Sequence, residues 1–149
     1  MQNWIKLLGT KDEPYDQRRH LANDHSRVLF PSRRAAVKKG DRLFLYTGTP
    51  YHRFFGVVTA ADRPRRRPGD HRWPLEVRVL PNLVLTRIEA GVPADRVLPL
   101  PSGTRSLSLR QQSHVRITPE DAAALSRALL EALRAELTGL DLLLPQEYL

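Results

Sequence analysis

The feature that most constrains the fold is a pair of short, continuously apolar segments separated by a turn. Residues 43–47 read Leu-Phe-Leu-Tyr-Thr, and residues 54–60 read Phe-Phe-Gly-Val-Val-Thr-Ala. Segments of this length that are apolar on both faces are typical of strands buried inside a sheet. We therefore predict two central β-strands joined by a loop over residues 48–53.

Shorter patterns on either side of this pair predict the rest of a sheet. Residues 3–8 are mostly apolar and favour a first strand. Residues 73–80 place Leu75, Val77 and Val79 on one side, as in a half-buried antiparallel strand. Residues 83–88 and 107–117 carry weaker strand patterns. Together these segments predict about five to six strands.

The end of the chain carries the strongest helix signal. Thr118 is suited to the N-cap, Pro119 to the first helical position, and Glu120 and Asp121 to the first turn. Apolar residues then recur at helical spacing as far as Gly139, which predicts one long amphipathic helix. A shorter helix is predicted over residues 32–39, before Gly40, and residues 15–26 are either a short exposed helix or a loop.

The remaining segments indicate connections within a single domain spanning residues 1–149. Residues 63–72 are rich in Arg and Pro and are expected to form a mobile loop. Three prolines between residues 91 and 103 favour an extended connection with at most one helical turn. The leucine-rich tail, residues 140–149, either folds back on the core, which we favour, or contacts a partner.

The charge balance favours a polyanionic partner. Lys and Arg number 24 against 16 Asp and Glu, which gives a formal net charge of +8. A basic surface attracts nucleic acid through long-range attraction and counterion release, although solubilising surface charge would give the same composition. We predict phosphate contacts from the clustered arginines Arg33, Arg34, Arg65, Arg66, Arg67 and Arg110.

Several classes of function lack their sequence signatures. The chain has no cysteine, which excludes disulfides and thiolate metal sites. It has no Gly-rich phosphate loop, nucleophile elbow or His-Glu-x-x-His pattern, and its five histidines are scattered. We therefore expect no catalytic residues, no metal and no cofactor. The sequence has no apolar stretch long enough to cross a bilayer and no visible secretory signal, so a cytoplasmic location is expected.

The few aromatic residues lie on or next to the predicted strands, where most would pack in the core. A base-binding pocket needs flat walls for stacking and polar groups for the base edge, and Trp or Tyr beside Arg, Ser, Asn or Gln supplies both. Trp4 and Tyr46 are therefore either core residues or pocket walls.

The order of several motifs resembles that of EVE domains, which belong to the PUA-like superfamily with YTH and ASCH domains. Residues 33–47 (Arg-Arg-Ala-Ala-Val-Lys-Lys-Gly-Asp-Arg-Leu-Phe-Leu-Tyr-Thr) resemble the helix, Gly-Asp turn and aromatic strand of that family. Residues 56–58, 73–77 and 107–121 are similar to its next strand, its tryptophan-led strand, and its closing strand with the helix start. The resemblance implies an α+β fold, a PUA-like small twisted β-barrel with flanking helices and a long C-terminal helix.

The resemblance also implies a pocket for a modified base, with no chemistry performed. It assigns Trp4 to the first strand, Tyr46 and Thr47 to a strand end, and Ser113 to the closing motif. The expected pocket residues are Trp4, Arg27, Ser32, Tyr46, Thr47, Trp73 and Ser113.

We predict a reader of a modified base in DNA or RNA. One alternative is an ASCH-like hydrolase of a modified nucleoside, because some members of that group use Lys, Thr and Glu, and Lys6, Thr47 and Glu76 are present. A second alternative is a protein-interaction module that uses the leucine-rich tail.

Overall fold

The structure is a computed structural model that describes residues 1–10, 12–31, 34–69, 72–103 and 113–143, with side chains described as far as residue 139. The strands are β1 (Asn3–Leu8), β2 (Arg27–Phe30), β3 (Arg42–Thr47), β4 (Arg53–Ala60), β5 (Arg65–Arg66), β6 (Leu75–Val84), β7 (Val92–Pro93) and β8 (His114–Ile117). The helices are α1 (Gln17–Ala22), α2 (Ala94–Val97) and α3 (Pro119–Leu143), and a single 3₁₀ turn spans Ile88–Ala90.

The strands form one mixed sheet that curls into a half-barrel. The main path runs β2-β6-β4-β3-β1-β8, with β5 paired to β6 and β7 paired to β4. Strands β1 and β3 are parallel, and the other pairs are antiparallel. The predicted central pair is confirmed as β3 and β4, and the predicted α+β twisted barrel with a long C-terminal helix is also confirmed.

The curled sheet carries an apolar cluster on each face because β3 and β4 are buried on both sides. Neighbouring residues such as Phe54 and Phe55 point to opposite faces. The inner face holds Trp4, Val28, Phe30, Leu43, Leu45, Phe55, Val58, Leu75, Val77 and Val79. The outer face holds Ile5, Phe44, Tyr46, Phe54 and Val57, covered by Ala122, Leu125 and Leu129 of α3.

Helix α3 begins where the sequence predicted. The Asp121 backbone N–H donates to Thr118 Oγ1 at 3.1 Å, and the Thr118 N–H donates to Asp121 Oδ2 at 3.4 Å, which is a reciprocal capping arrangement. Near its other end, Glu136 accepts hydrogen bonds from the backbone N–H groups of Thr86 and Arg87 and so fixes the helix to the segment after β6. No helix in the described part of the chain has the length and hydropathy to cross a membrane.

The predicted helix over residues 32–39 is wrong for residues 34–38, which are not helical. Asp41 organises this segment instead, because its carboxylate accepts from the Lys38 backbone N–H at 2.9 Å while its own N–H donates to the Lys38 carbonyl at 3.0 Å. Gly40 adopts a φ of 91°, which permits this tight turn. A side-chain-stabilised turn therefore replaces the helix suggested by local propensity.

The segment between β4 and β6 also differs from the prediction. Arg65–Arg66 pairs with β6, so the expected mobile loop is a short β-ladder at this point. One ten-residue strand, β6, includes residues 75–80 of the first predicted strand pattern and only residues 83–84 of the second. The predicted separate strand at residues 83–88 is therefore wrong, and Ile88 begins the 3₁₀ turn. The side chains of the leucine-rich tail lie outside the described residues, so the expectation that the tail folds back on the core stays a prediction.

Candidate functional site

The inner face of β1 presents Lys6 to two aromatic rings. Lys6 follows Trp4 by two residues, and alternation along the strand places both side chains on the inner face. The Lys6 side chain is 0% exposed. Its Nζ atom lies 4.8 Å from the centroid of the Phe30 ring and 5.7 Å from that of Trp73. The amine is therefore enclosed by rings from β2 and from the segment that precedes β6.

The surroundings of the Lys6 amine are apolar. Nζ donates a hydrogen bond to the Leu7 carbonyl at 2.7 Å, and no ion pair found among the described residues includes Lys6. Burial disfavours the charged ammonium and lowers the pKa of Lys6 to about 7. The two rings can still stabilise the cation when it forms. Lys6 is thus an amine that can be either neutral or charged near neutral pH.

His114 lies on the neighbouring strand and completes this group of side chains. It is directly opposite Lys6 in the β1–β8 register, which brings the two side chains to the same face. The His114 ring centroid is 5.0 Å from that of Phe30 and 5.4 Å from that of Trp4. Burial first, and the nearby charge of Lys6 second, lower the pKa of His114. We call Lys6, Phe30, Trp73 and His114 the Lys6 site.

Ser113 is the predicted pocket residue that contacts the Lys6 site through hydrogen bonds. Its hydroxyl lies 2.9 Å from His114 Nδ1, and its carbonyl accepts from the Leu7 N–H at 2.8 Å. Ser113, His114 and Trp73 are partly exposed, whereas Lys6 and Phe30 are buried. Ser113, His114 and Trp73 therefore form the side of the site that borders solvent.

Two other predicted pocket residues share the inner face but use their polar atoms in the framework. The Trp4 Nε1–H donates to Asp41 Oδ2 at 3.0 Å, and Trp4 packs in the inner cluster. The Thr47 hydroxyl donates to the Tyr15 carbonyl at 3.0 Å. Because these donors already have protein acceptors, both residues support the site rather than present free donors to a ligand.

Tyr46 lies on the other face of the sheet from Trp4. Its ring packs against Phe54 at 4.8 Å between centroids, and its hydroxyl lies 3.1 Å from His52 Nδ1. Tyr46 and Phe54 both belong to the cluster of the outer side, which α3 covers. Trp4 and Tyr46 therefore do not wall the same pocket, and the alternation of β1 and β3 is the physical reason.

Arg27 is also separated from the inner face. Val28 and Phe30 of β2 point inward, so Arg27 points outward, where it forms an ion pair with Glu76 at 3.1 Å. The same geometry separates Glu76 from Lys6, because Leu75 and Val77 occupy the inward positions of β6. The structure thus does not bring Lys6, Thr47 and Glu76 together as one catalytic group. Ser32 lies outside the described residues.

The segment that supplies Trp73 also carries a dense group of arginines. Arg65 and Arg66 are exposed on β5, and Arg72 is exposed beside Trp73. Arg67 is partly buried; its Nη1 donates to the Trp73 carbonyl at 3.0 Å, and its backbone N–H donates to the Pro74 carbonyl at 2.8 Å. We call Arg65, Arg66, Arg67 and Arg72 the hairpin arginines. Arg65 also forms an ion pair with Asp62 at 2.6 Å, and Arg72 forms one with Glu13 at 3.8 Å. Through Arg67, these arginines are linked to the backbone of Trp73 in the Lys6 site.

Three further predicted phosphate contacts lie elsewhere along the chain. Arg34 is exposed, whereas Arg33 and Arg110 lie outside the described residues. Within the described ranges, no group of three His, Asp or Glu side chains could hold a metal ion.

The histidine-rich segment near α1 is part of the core. His20 is buried, and its Nε2 faces the Leu85 carbonyl, which can only accept. Nε2 therefore donates, and Nδ1 accepts from the Tyr15 hydroxyl at 2.9 Å. Asn23 donates to the same hydroxyl at 3.2 Å. This satisfied chain of hydrogen bonds anchors α1 to the sheet.

Sequence reasoning missed Phe30 and His114 and treated Lys6 only as a residue of the hydrolase alternative. The signal available for Lys6 was its two-residue spacing from Trp4 on a predicted strand. Phe30 and His114 come from strands far away along the chain, and their convergence depends on the strand order.

Solved structures share this fold. Rpa0253 from Rhodopseudomonas palustris matches with a TM-score of 0.60 and 14% identity over 86% of this chain and 92% of its own. Atu2648 from Agrobacterium tumefaciens matches with a TM-score of 0.56 and 17% identity over 85% of this chain and 92% of its own.

A mutant of the ASCH protein from Zymomonas mobilis matches with a TM-score of 0.56 and 9% identity over 85% of this chain and 95% of its own. No family model and no curated protein matches the sequence. These structural likenesses show the fold alone, a small twisted β-barrel that this chain shares with the three proteins.

Proposed function

We propose that this protein binds nucleic acid and reads a modified base at the Lys6 site, in the manner of an EVE domain and without turnover. The single observation that carries the proposal is the position of Trp73. Its ring lies against the Lys6 amine, while its backbone is bonded to Arg67 in the segment of the hairpin arginines. A base contact and phosphate contacts can therefore come from one short stretch of chain.

The chemistry of the Lys6 site matches the needs of base recognition. Phe30 and Trp73 supply aromatic faces, and stacking on such faces contributes about 1–3 kcal/mol per base. The Lys6 amine can donate to a carbonyl or ring nitrogen, and these are the acceptors on base edges. The Ser113 hydroxyl and the His114 ring add polar groups on the partly exposed side.

The Lys6 amine is enclosed in this structure, so a base would enter only after a neighbouring side chain moves. Trp73 and His114 border solvent and are the side chains whose displacement would open the site. A single nucleotide would then leave its stack and occupy the space beside Lys6. The hairpin arginines would hold the adjacent phosphates and fix the register of the strand.

Competition binding tests the proposal. The full chain is titrated against single-stranded DNA and RNA of one sequence that carries, at one position, an unmodified base or one of several methylated, hydroxymethylated or formylated bases. We expect at least one modified base to bind about tenfold more tightly than the plain one, a difference of about 1.4 kcal/mol.

The matched variants are Trp73→Ala and Leu80→Ala. Trp73→Ala should remove the discrimination, whereas Leu80, 62% exposed, lies away from the inner-face residues Val77 and Val79 and should tolerate the change. Equal binding of all bases by the wild-type protein would contradict base reading. Conversion of a modified nucleoside would instead support the hydrolase alternative, and self-association lost on deletion of residues 140–149 would support the interaction module.

A further inference from the structure

Lys6 differs in residue type from most of the cationic residues of this chain, which are arginines. The chain has 24 Lys and Arg residues, of which only Lys6, Lys11, Lys38 and Lys39 are lysines. Arginine stays protonated in proteins, whereas a desolvated lysine loses its proton readily. The buried position 6 thus carries lysine, whose side chain can act as a neutral amine, rather than arginine.

The environment of Lys6 suits a nucleophile. A neutral amine keeps one N–H for the Leu7 carbonyl at 2.7 Å and retains a lone pair that this bond does not use. Phe30 and Trp73 replace water around Nζ. Burial in such a site is a recognised means of activating lysine toward carbonyl carbons, and the exclusion of water disfavours hydrolysis of the product.

We propose that Lys6 captures an aldehyde carried by the nucleic acid as a reversible imine. The inference rests on the proposed function, because the arginine-bound strand delivers the aldehyde to the site. The flat walls formed by Phe30 and Trp73 fit an aldehyde attached to a planar base, such as a formylpyrimidine. The opened sugar at an abasic position presents the same chemical group.

The step balances without an oxidant or reductant. The Nζ lone pair attacks the aldehyde carbon, a C–N bond forms, and the carbonyl oxygen gains a proton as the nitrogen loses one. The nitrogen of the resulting carbinolamine then gives up its second proton, the hydroxyl leaves as water when the C–O bond breaks, and the C=N bond forms. The reverse reaction restores the amine and the aldehyde.

His114 is the titratable group that faces Lys6 from β8, while the neighbours from β2 and from the segment before β6 are the rings of Phe30 and Trp73. A neutral imidazole beside the amine can accept the proton that the nitrogen loses. Burial is the larger cause that lowers the pKa of His114, and it favours the neutral imidazole also when Lys6 is neutral.

Reductive trapping tests the inference. The full chain is incubated with sodium cyanoborohydride and oligonucleotides that carry a formylpyrimidine, an abasic site or neither, and the adduct is located by peptide mass spectrometry. We expect the formylpyrimidine to become attached at Lys6. Attachment of only the abasic oligonucleotide at Lys6 would support aldehyde capture with the sugar as the source.

Variants separate Lys6 from the other amines. Lys6→Arg and Lys6→Met should reduce the adduct about tenfold or more, because neither side chain supplies a neutral amine. The double substitution Lys38→Arg with Lys39→Arg should leave it unchanged. Circular dichroism identifies any variant that fails to fold. Location of the adduct in the wild-type protein by mass spectrometry does not depend on the variants.

An adduct spread over Lys38, Lys39 and the N-terminus, or no adduct at all, would overturn the inference. Binding measured without the reductant separates this failure from failure of the proposed function. Selective binding of a formylated base without an adduct at Lys6 leaves base reading intact and rejects the covalent step. An adduct at Lys6 with equal noncovalent affinity for all plain and modified bases rejects base reading and supports capture.

Discussion

Lys6 and His114 face each other across the antiparallel pairing of β1 with β8, and both side chains occupy the inner face of the sheet. Each is a base whose pKa is lowered in the folded protein, Lys6 by burial and His114 by burial and by Lys6. Between about pH 7 and 10.5 the unfolded chain therefore binds more protons at Lys6 than the folded chain does, and folding stability should rise with pH in that range. The contribution of His114 lies below its unfolded pKa of about 6.5.

Lys6→Met should remove most of this pH dependence. The pKa of Lys6 is about 7 in the folded protein against 10.5 for a free lysine, so the cost of burying the amine decreases as pH rises between these values. As pH rises between these values, the free energy of unfolding of the wild-type protein should increase by at most about 1.4 kcal/mol per pH unit. We expect Lys6→Met to be the more stable protein at pH 6 and to lose about half of that advantage by pH 9.

Urea unfolding at several pH values measures this effect. Exposed Lys39→Met is the matched control and should follow the wild-type profile. Parallel pH profiles for Lys6→Met and the wild-type protein would show that Lys6 is not desolvated.

Trp4 and Tyr46 should behave as core residues of opposite faces. Each is buried, and truncation to Ala should reduce the free energy of unfolding by about 3–5 kcal/mol. Tyr46→Ala should leave base discrimination by the remaining folded protein unchanged, because Tyr46 contacts Phe54 and His52 on the outer side. Thermal unfolding and competition binding on the same samples check both statements. Loss of discrimination in stable, folded Tyr46→Ala would place the base on the outer face.

Asp41 should contribute to stability in a pH-dependent way. Burial by itself would raise its pKa, but hydrogen bonds from the Gln2 and Lys38 backbone N–H groups and the Trp4 indole outweigh burial and lower it. The stabilisation is therefore present above the unfolded pKa of about 4 and is lost as pH falls through the lower folded value.

Asp41→Asn should lower stability at pH 7 and flatten the acid limb of the unfolding profile. The exposed Asp95→Asn is the matched control, and acid unfolding followed by circular dichroism is the measurement. An unchanged acid limb in Asp41→Asn would show that these hydrogen bonds do not stabilise the charged carboxylate.

The hairpin arginines should set the salt dependence of nucleic-acid binding. Arg65→Ala with Arg66→Ala should reduce the magnitude of the slope of log affinity against log salt by about 1–2, because each lost phosphate contact contributes about 0.7–0.9. Arg67 is left in place because it binds the Trp73 carbonyl. Arg127→Ala with Arg134→Ala removes the same charge from exposed positions of α3 and should change the slope less. Equal salt slopes for the two double variants would show that this hairpin does not contact the phosphates.

The parts of the fold that the sequence patterns predicted correctly are those determined by interactions between residues close together in the chain. The apolar runs of β3 and β4, the alternation of Leu75, Val77 and Val79, and the capping residues Thr118 and Asp121 each act within a few residues. The helix predicted before Gly40 was wrong because Asp41 offers the Lys38 backbone a competing hydrogen bond.

The candidate site was less predictable because its members meet only through strand order. Lys6, Phe30 and Trp73 come from β1, β2 and the segment before β6, which no short pattern links. For the same reason, the pocket predicted from the sequence combined residues that lie on opposite faces of the sheet. The identities of Trp4 and Tyr46 favoured stacking, but only the strand registers show that the two rings point apart.

The central claim is that a base is read beside Trp73, and the indole N–H resonances test it most directly. The chain has two tryptophans, so an amide correlation spectrum of the ¹⁵N-labelled protein contains two indole signals, which Trp73→Phe assigns. The modified oligonucleotide with the tightest binding should shift the Trp73 signal well beyond the shift caused by its unmodified parent at equal saturation. The Trp4 signal should move less because its Nε1–H is held by Asp41 at 3.0 Å. The account would be contradicted if the modified oligonucleotide binds selectively and saturably but shifts the Trp73 signal no further than the unmodified oligonucleotide does.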